Sequence, residues 1–148
     1  MHPPSNRFFY FSLFISIGVI AGAIRSAFRK KHIFKSLGTR LQRSPEAFGA
    51  EFFPEGRRQI AITVRKLLEK TLKMSLGGLQ PDDSFQKELK FDEMSRETFQ
   101  KFLIAVEGAF DIDLPPVEVC MRMTVGRMVA IVERKVHHKE HARENKND

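Results

Sequence analysis

Between Phe8 and Ile24 the chain runs for 17 residues without a charge, at the lower limit of what a membrane-spanning helix needs. Ten of these residues are strongly apolar: Phe8, Phe9, Phe11, Leu13, Phe14, Ile15, Ile17, Val19, Ile20 and Ile24. At roughly −0.3 to −0.6 kcal/mol each they favour insertion by about 3 to 6 kcal/mol, before the serines and glycines subtract some. If Arg25 snorkels, the segment extends to Phe28, roughly 30 Å of helix. Basic residues follow on the C-terminal side, at Arg25, Arg29, Lys30 and Lys31. The expectation is a single-pass transmembrane anchor over residues 1–31, its N-terminus outside and the rest of the chain cytoplasmic by the positive-inside bias.

Two other readings compete. A cleavable signal peptide would use Ala21-Gly22-Ala23 as its cleavage site, but four basic residues within eight positions of the cut would resist translocation. A mitochondrial presequence would explain the missing acids, but such peptides are amphipathic and this run is apolar all round.

Charge is partitioned along the chain. The net charge of +7 arises in residues 1–45, which hold eight basic residues and no acid; the remaining 103 residues carry 17 basic and 18 acidic groups. The basic flank reads as a segment lying on anionic lipid headgroups. A basic face interleaved with aromatics, as nucleic-acid binding would require, is absent from the sequence, so no nucleic-acid partner is expected. With 148 residues, a large multidomain enzyme is excluded. One cysteine excludes a disulfide scaffold and any Cys-x-x-Cys zinc site. Cys120 lies in an apolar stretch and reads as a buried thiol.

Residues 32–56 read as a linker with one short helical segment, in which Ser44 is the N-cap, Pro45 the first helical residue and Pro54 with Gly56 the stop. Residues 57–137 then form an all-α domain. Ile60, Val64, Leu67, Leu68 and Leu72 make a helical stripe, with Gly77-Gly78 as its terminator. A long loop follows, anchored by Phe85 and Leu89. Phe99, Phe102, Leu103, Val106 and Phe110 mark a second helix beginning near Ser95. A short third helix over Val117–Met121 and a last one capped by Thr124, with Val125, Met128, Val129, Val132 and Val136 on its face, complete a four-helix bundle. Residues 138–148 read as a charged disordered tail.

Over residues 58–136 this pattern resembles the acyl carrier proteins. Asp83-Ser84-Phe85 with Leu89 fits their loop element; Glu107, Phe110, Ile112, Leu114 and Pro115, with Asp113 at the acidic position, fit the segment after their second helix; Thr124-Val125-Gly126 fits the entry to their last helix. The resemblance implies an acyl-carrier-protein-like four-helix bundle, here preceded by the transmembrane helix. It also implies a serine in Asp-Ser-Leu that carries phosphopantetheine, and that motif fails. Counting forward from Leu89 puts Asp92-Glu93-Met94 on it; counting back from Phe110 puts Arg96 at the serine. Ser95 lies between, with Met94 before it and Arg96 after it, and reads as a plain N-cap. Carrier proteins also present a strongly acidic second helix, whereas residues 57–136 here hold 14 basic and 12 acidic groups.

The Asp82/Asp83 and Asp111/Asp113 pairs sit in turns beside proline and read as turn-stabilising. His137, His138 and His141 fall after the last core residue and read as solvated, so no metal is expected. The expectation is a membrane-anchored, non-enzymatic adaptor without a cofactor, whose protein partner docks at Glu93, Met94, Ser95 and Arg96. Two alternatives stand beside it: a working carrier with phosphopantetheine on Ser95, and a structural subunit of a membrane complex.

Overall fold

The computed structural model describes residues 7–91, 96–115 and 119–144, with side chains from Val19 onward. Among these residues the chain is all-helical: α1 (Arg7–Leu37), α2 (Pro45–Phe52), α3 (Glu55–Leu72), α4 (Arg96–Phe110) and α5 (Val125–Glu144). An isolated antiparallel bridge joins Ser84 and Thr124. Helix α3 is the hub, packing against α2, α4 and α5.

The membrane-anchor reading of α1 is corrected. Among the described residues no helix is long and apolar enough to cross a membrane. The side chains of residues 8–18, most of the uncharged run, lie outside the described ones. From Val19 onward the described side chains of the helix include Arg25, Arg29, Lys30, Lys31 and Lys35. The helix also does not stop at a basic flank. It continues to Leu37 and buries Ile33 and Leu37 in the core. The single-pass topology, outside N-terminus and cytoplasmic placement fall with the span.

Residues 32–56, expected as a linker, contribute to that same core. Ser44 caps α2, its hydroxyl accepting from the Ala47 N–H at 3.1 Å, with Pro45 at the first helical position. The helix runs to Phe52, and Gly56 lies inside α3 and does not end α2. Phe48 is fully buried, its ring meeting those of Phe52 and Phe53. Gly49 lets α2 approach α3 closely, since a Cβ there would lie 2.7 Å from Ile62.

Helix α3 presents the expected stripe, with Ile60, Val64, Leu68 and Leu72 buried and Leu67 partly so. It ends at Leu72, where Lys73 adopts the left-handed conformation (φ 53°) and its N–H bonds the Glu69 carbonyl. Gly77 and Gly78, expected as the terminator, have a different role. They form the seam on which the end of α1 and the segment after it rest. A Cβ on Gly78 would lie 2.0 Å from the Leu37 carbonyl oxygen, and one on Gly77 would lie 2.1 Å from the Gln42 side chain. The Arg43 N–H bonds the Gly77 carbonyl at 2.9 Å.

Beyond the loop, α4 buries Phe99, Phe102 and Val106, and α5 buries Val125, Met128, Val129, Ile131 and Val132. Thr124 caps α5 as expected, accepting from the Arg127 N–H at 3.3 Å. The described part of the expected third helix, Val119–Met121, is not helical; Val117 and Glu118 lie outside the described residues. Helix α5 runs on to Glu144, into the stretch expected as a tail. Cys120 is exposed, not buried, because the inward positions of its segment belong to Val119 and Met123.

Two measurements test this seam. Gly78→Ala drives a methyl into the Leu37 carbonyl and is expected to cost about 2 kcal/mol or more in urea denaturation. A fragment of residues 56–148 lacks Ile33, Leu37, Phe48 and Phe53, each contributing about 1.5 to 3 kcal/mol by burial. It is expected to lose cooperative unfolding; a sharp two-state transition would restore the linker reading.

Candidate functional site

The start of α4 is positioned from below by aromatic packing. Phe85 is fully buried and its ring meets Phe91, Phe99 and Phe102 at centroid separations of 6.1, 5.4 and 5.6 Å. Phe91 in turn meets Phe99 at 5.3 Å, edge to face. These are the separations at which aromatic pairs attract beyond simple area burial. The loop carrying Phe85 is tied to the entry of α5. Phe85 N–H donates to the Met123 carbonyl (3.1 Å), Val125 N–H to the Asp83 carbonyl (2.9 Å) and Gly126 N–H to the Pro81 carbonyl (2.8 Å). Thus two segments singled out in the sequence, Asp83-Ser84-Phe85 and Thr124-Val125-Gly126, lie against each other.

Each polar residue in those segments has a local task. The Asp83 carboxylate accepts from the Gln80 N–H at 2.8 Å and from the Arg40 guanidinium at 2.7 Å. The Ser84 hydroxyl accepts from the N–H groups of Gln86 and Lys87, both at 3.1 Å, while Glu88 accepts from the Ser84 N–H at 2.7 Å. At the far end of α4, Asp111 takes the left-handed conformation (φ 51°), and the Glu107 side chain reaches forward to accept from the Leu114 N–H at 2.8 Å. The Asp83 and Glu107 carboxylates thus hold turns.

Of the expected partner surface, Arg96 opens α4 and is exposed; Glu93, Met94 and Ser95 lie outside the described residues. The basic residues of α1 have a neighbourhood that the sequence did not reveal. Arg29 lies over the Phe91 ring at 5.8 Å. A cleft of about 290 Å³ opens between α1, the end of α3 and the first turn of α4, lined among others by Arg25, Arg29, Lys30, Lys73 and Thr98. A second cleft of about 370 Å³ adjoins it, sharing Lys73 and Thr98 and adding Lys70 and Lys101. The described side chains lining the two clefts include no acid. Arg25, Arg29 and Lys30 were legible as a basic run. Lys73 and Thr98 carried no signal, because only folding brings the ends of α3 and α4 beside α1.

Among the described residues no group of three His, Cys, Asp or Glu side chains is placed to hold a metal ion. His137 and His141 sit on α5, both exposed, and His141 Nδ1 lies 3.5 Å from Glu144.

The pairing of α4 with α5 across Asp111 has a pH signature. The Asp111 carboxyl is held below the usual aspartate range by the hydrogen bond from Lys139, reinforced by the Lys139 charge and then by Arg143. A lowered folded-state value means that the pair stabilises the fold above the ordinary aspartate value, and that this is lost as pH falls through the lower one. Thermal midpoints are expected to fall below about pH 4, and Lys139→Met to flatten that fall. Part of the slope survives in the variant, because Glu46, Glu51 and Glu97 are lowered in the same way by Lys66, Arg43 and Lys101.

No family model matches this chain, and no solved structure matches it.

Proposed function

We propose that this chain is a non-catalytic binding module on a carrier-protein-like helical domain, working without a prosthetic group, with the loop before α4 and its first turn as the partner surface. The observation that carries the reading is the seating of Asp83-Ser84-Phe85 on the entry to α5. It ties the loop before α4, as far as Phe91, to the bundle, and residues 92–95, which would correspond to the carrier motif, follow directly in the sequence. The sequence there offers Asp92-Glu93-Met94 for Asp-Ser-Leu counting forward from Leu89, and Arg96 for the serine counting back from Phe110.

Two further points support it. Glu107, Asp83 and Ser84 each hold a turn, which leaves them as scaffold. The mixed charge of α4, with Arg96, Glu97, Lys101 and Glu107, is poorly matched to the basic docking patches that an acidic carrier helix would meet. Electrostatic complementarity governs encounter and partner choice, so the partner belongs to a different class of protein.

Incubation with coenzyme A and a phosphopantetheinyl transferase, read by intact mass, tests the absence of a prosthetic group. The expected mass is unchanged. A gain mapped to Ser95 would overturn the reading and make the chain a working carrier.

A further inference from the structure

We propose that the paired clefts between α1, the end of α3 and the first turn of α4 form a binding site for a phosphate-bearing ligand, with Arg25, Arg29, Lys30 and Lys73 as its cationic lining. The inference goes beyond the module reading and does not rest on it.

The argument begins with charge. Across the two clefts the lining gathers Arg25, Arg29, Lys30, Lys70, Lys73 and Lys101, with no acidic side chain among the described residues. Lys101 is held by Glu97 at 2.7 Å, whereas Arg25, Arg29, Lys30 and Lys73 have no carboxylate partner among the described residues. Elsewhere the chain pairs its cations readily: Arg40 with Asp83, Arg57 with Glu133, Arg65 with Glu69, Lys66 with Glu46. Holding like charges around one concave space is unfavourable unless an anion enters it.

Lys73 takes a left-handed conformation at the end of α3, which turns the chain beside the first turn of α4. The Lys73 side chain lines both clefts. The chemistry also suits phosphate. Two guanidinium groups offer planar, bidentate donors and the lysines add point charges; the Thr98 hydroxyl supplies a neutral donor. A volume of about 290 Å³ accommodates one or two phosphate groups.

The phosphate can come from a soluble ester or from a lipid headgroup, so the test has two arms on the full-length chain. Pyrophosphate is titrated calorimetrically at low salt, and vesicles of phosphatidic acid are compared with phosphatidylcholine by flotation. Saturable binding in either arm, weakening as salt rises, is expected. Vesicle binding displaced by pyrophosphate assigns the headgroup, and pyrophosphate binding alone assigns the soluble ester. Arg25→Gln/Lys73→Gln alters two exposed side chains and is expected to weaken binding about tenfold or more, with the circular dichroism spectrum unchanged. Lys87→Gln, away from both clefts, is expected to bind as wild type. Absence of binding in both arms, or equal losses in the Lys87 and double variants, would overturn the proposal.

Discussion

The Arg65 guanidinium is only 1% exposed, and the rest of the fold is arranged around its needs. It donates to the Arg43 and Ser44 carbonyls at 2.6 and 3.1 Å and to Glu69 at 3.2 Å, and lies over the Phe48 ring at 5.3 Å. A buried charge is tolerable only when its hydrogen-bonding capacity is filled, and here two of the fillers are backbone carbonyls from the segment joining α1 to α2. Glu69 passes the constraint onward by accepting from the Leu76 N–H at 2.8 Å, at the entrance to the long loop. A single side chain on α3 therefore fixes the segment before α2 and the loop after α3 relative to one another.

Two further arginines extend the same logic. Arg43 pairs with Glu51 of α2, one contact at 2.8 Å, and Arg40 reaches the Gly78 carbonyl and the Asp83 carboxylate. Part of the basic excess that the sequence suggested as a membrane flank is thus internal structure. Asp83 is shared between this network and the bridge to α5, so the register of the loop, the aromatic cluster under α4 and the position of α4 itself form one connected arrangement. The cationic clefts lie beside it, against Arg25, Arg29 and Lys30 of α1.

Local signals in the sequence were reliable where the determining neighbour is close along the chain. The stripes of α3, α4 and α5 follow from 3.6-residue periodicity, and Ser44 and Thr124 cap the helices expected of them because a cap needs only the next turn. Signals failed where the neighbour is distant. Gly77-Gly78 looked like a helix stop, but the reason for glycine there is the Leu37 carbonyl forty residues earlier. Cys120 looked buried from its apolar company, yet the inward positions go to Val119 and Met123. The apolar character of the first helix was legible, whereas its C-terminal docking through Ile33 and Leu37 was not.

What the sequence determined by itself is therefore the all-helical character, the main helix faces and the capping turns, together with the partition of charge between the two ends. Tertiary structure alone decided that the segment before α3 belongs to the core, that Arg65 is buried, and that Lys73 and Thr98 stand beside the basic residues of α1. The physical reason is range. Helix propensity, periodicity and capping act within a few residues, whereas burial, close backbone approach and the gathering of like charges depend on segments that meet only when the chain has folded.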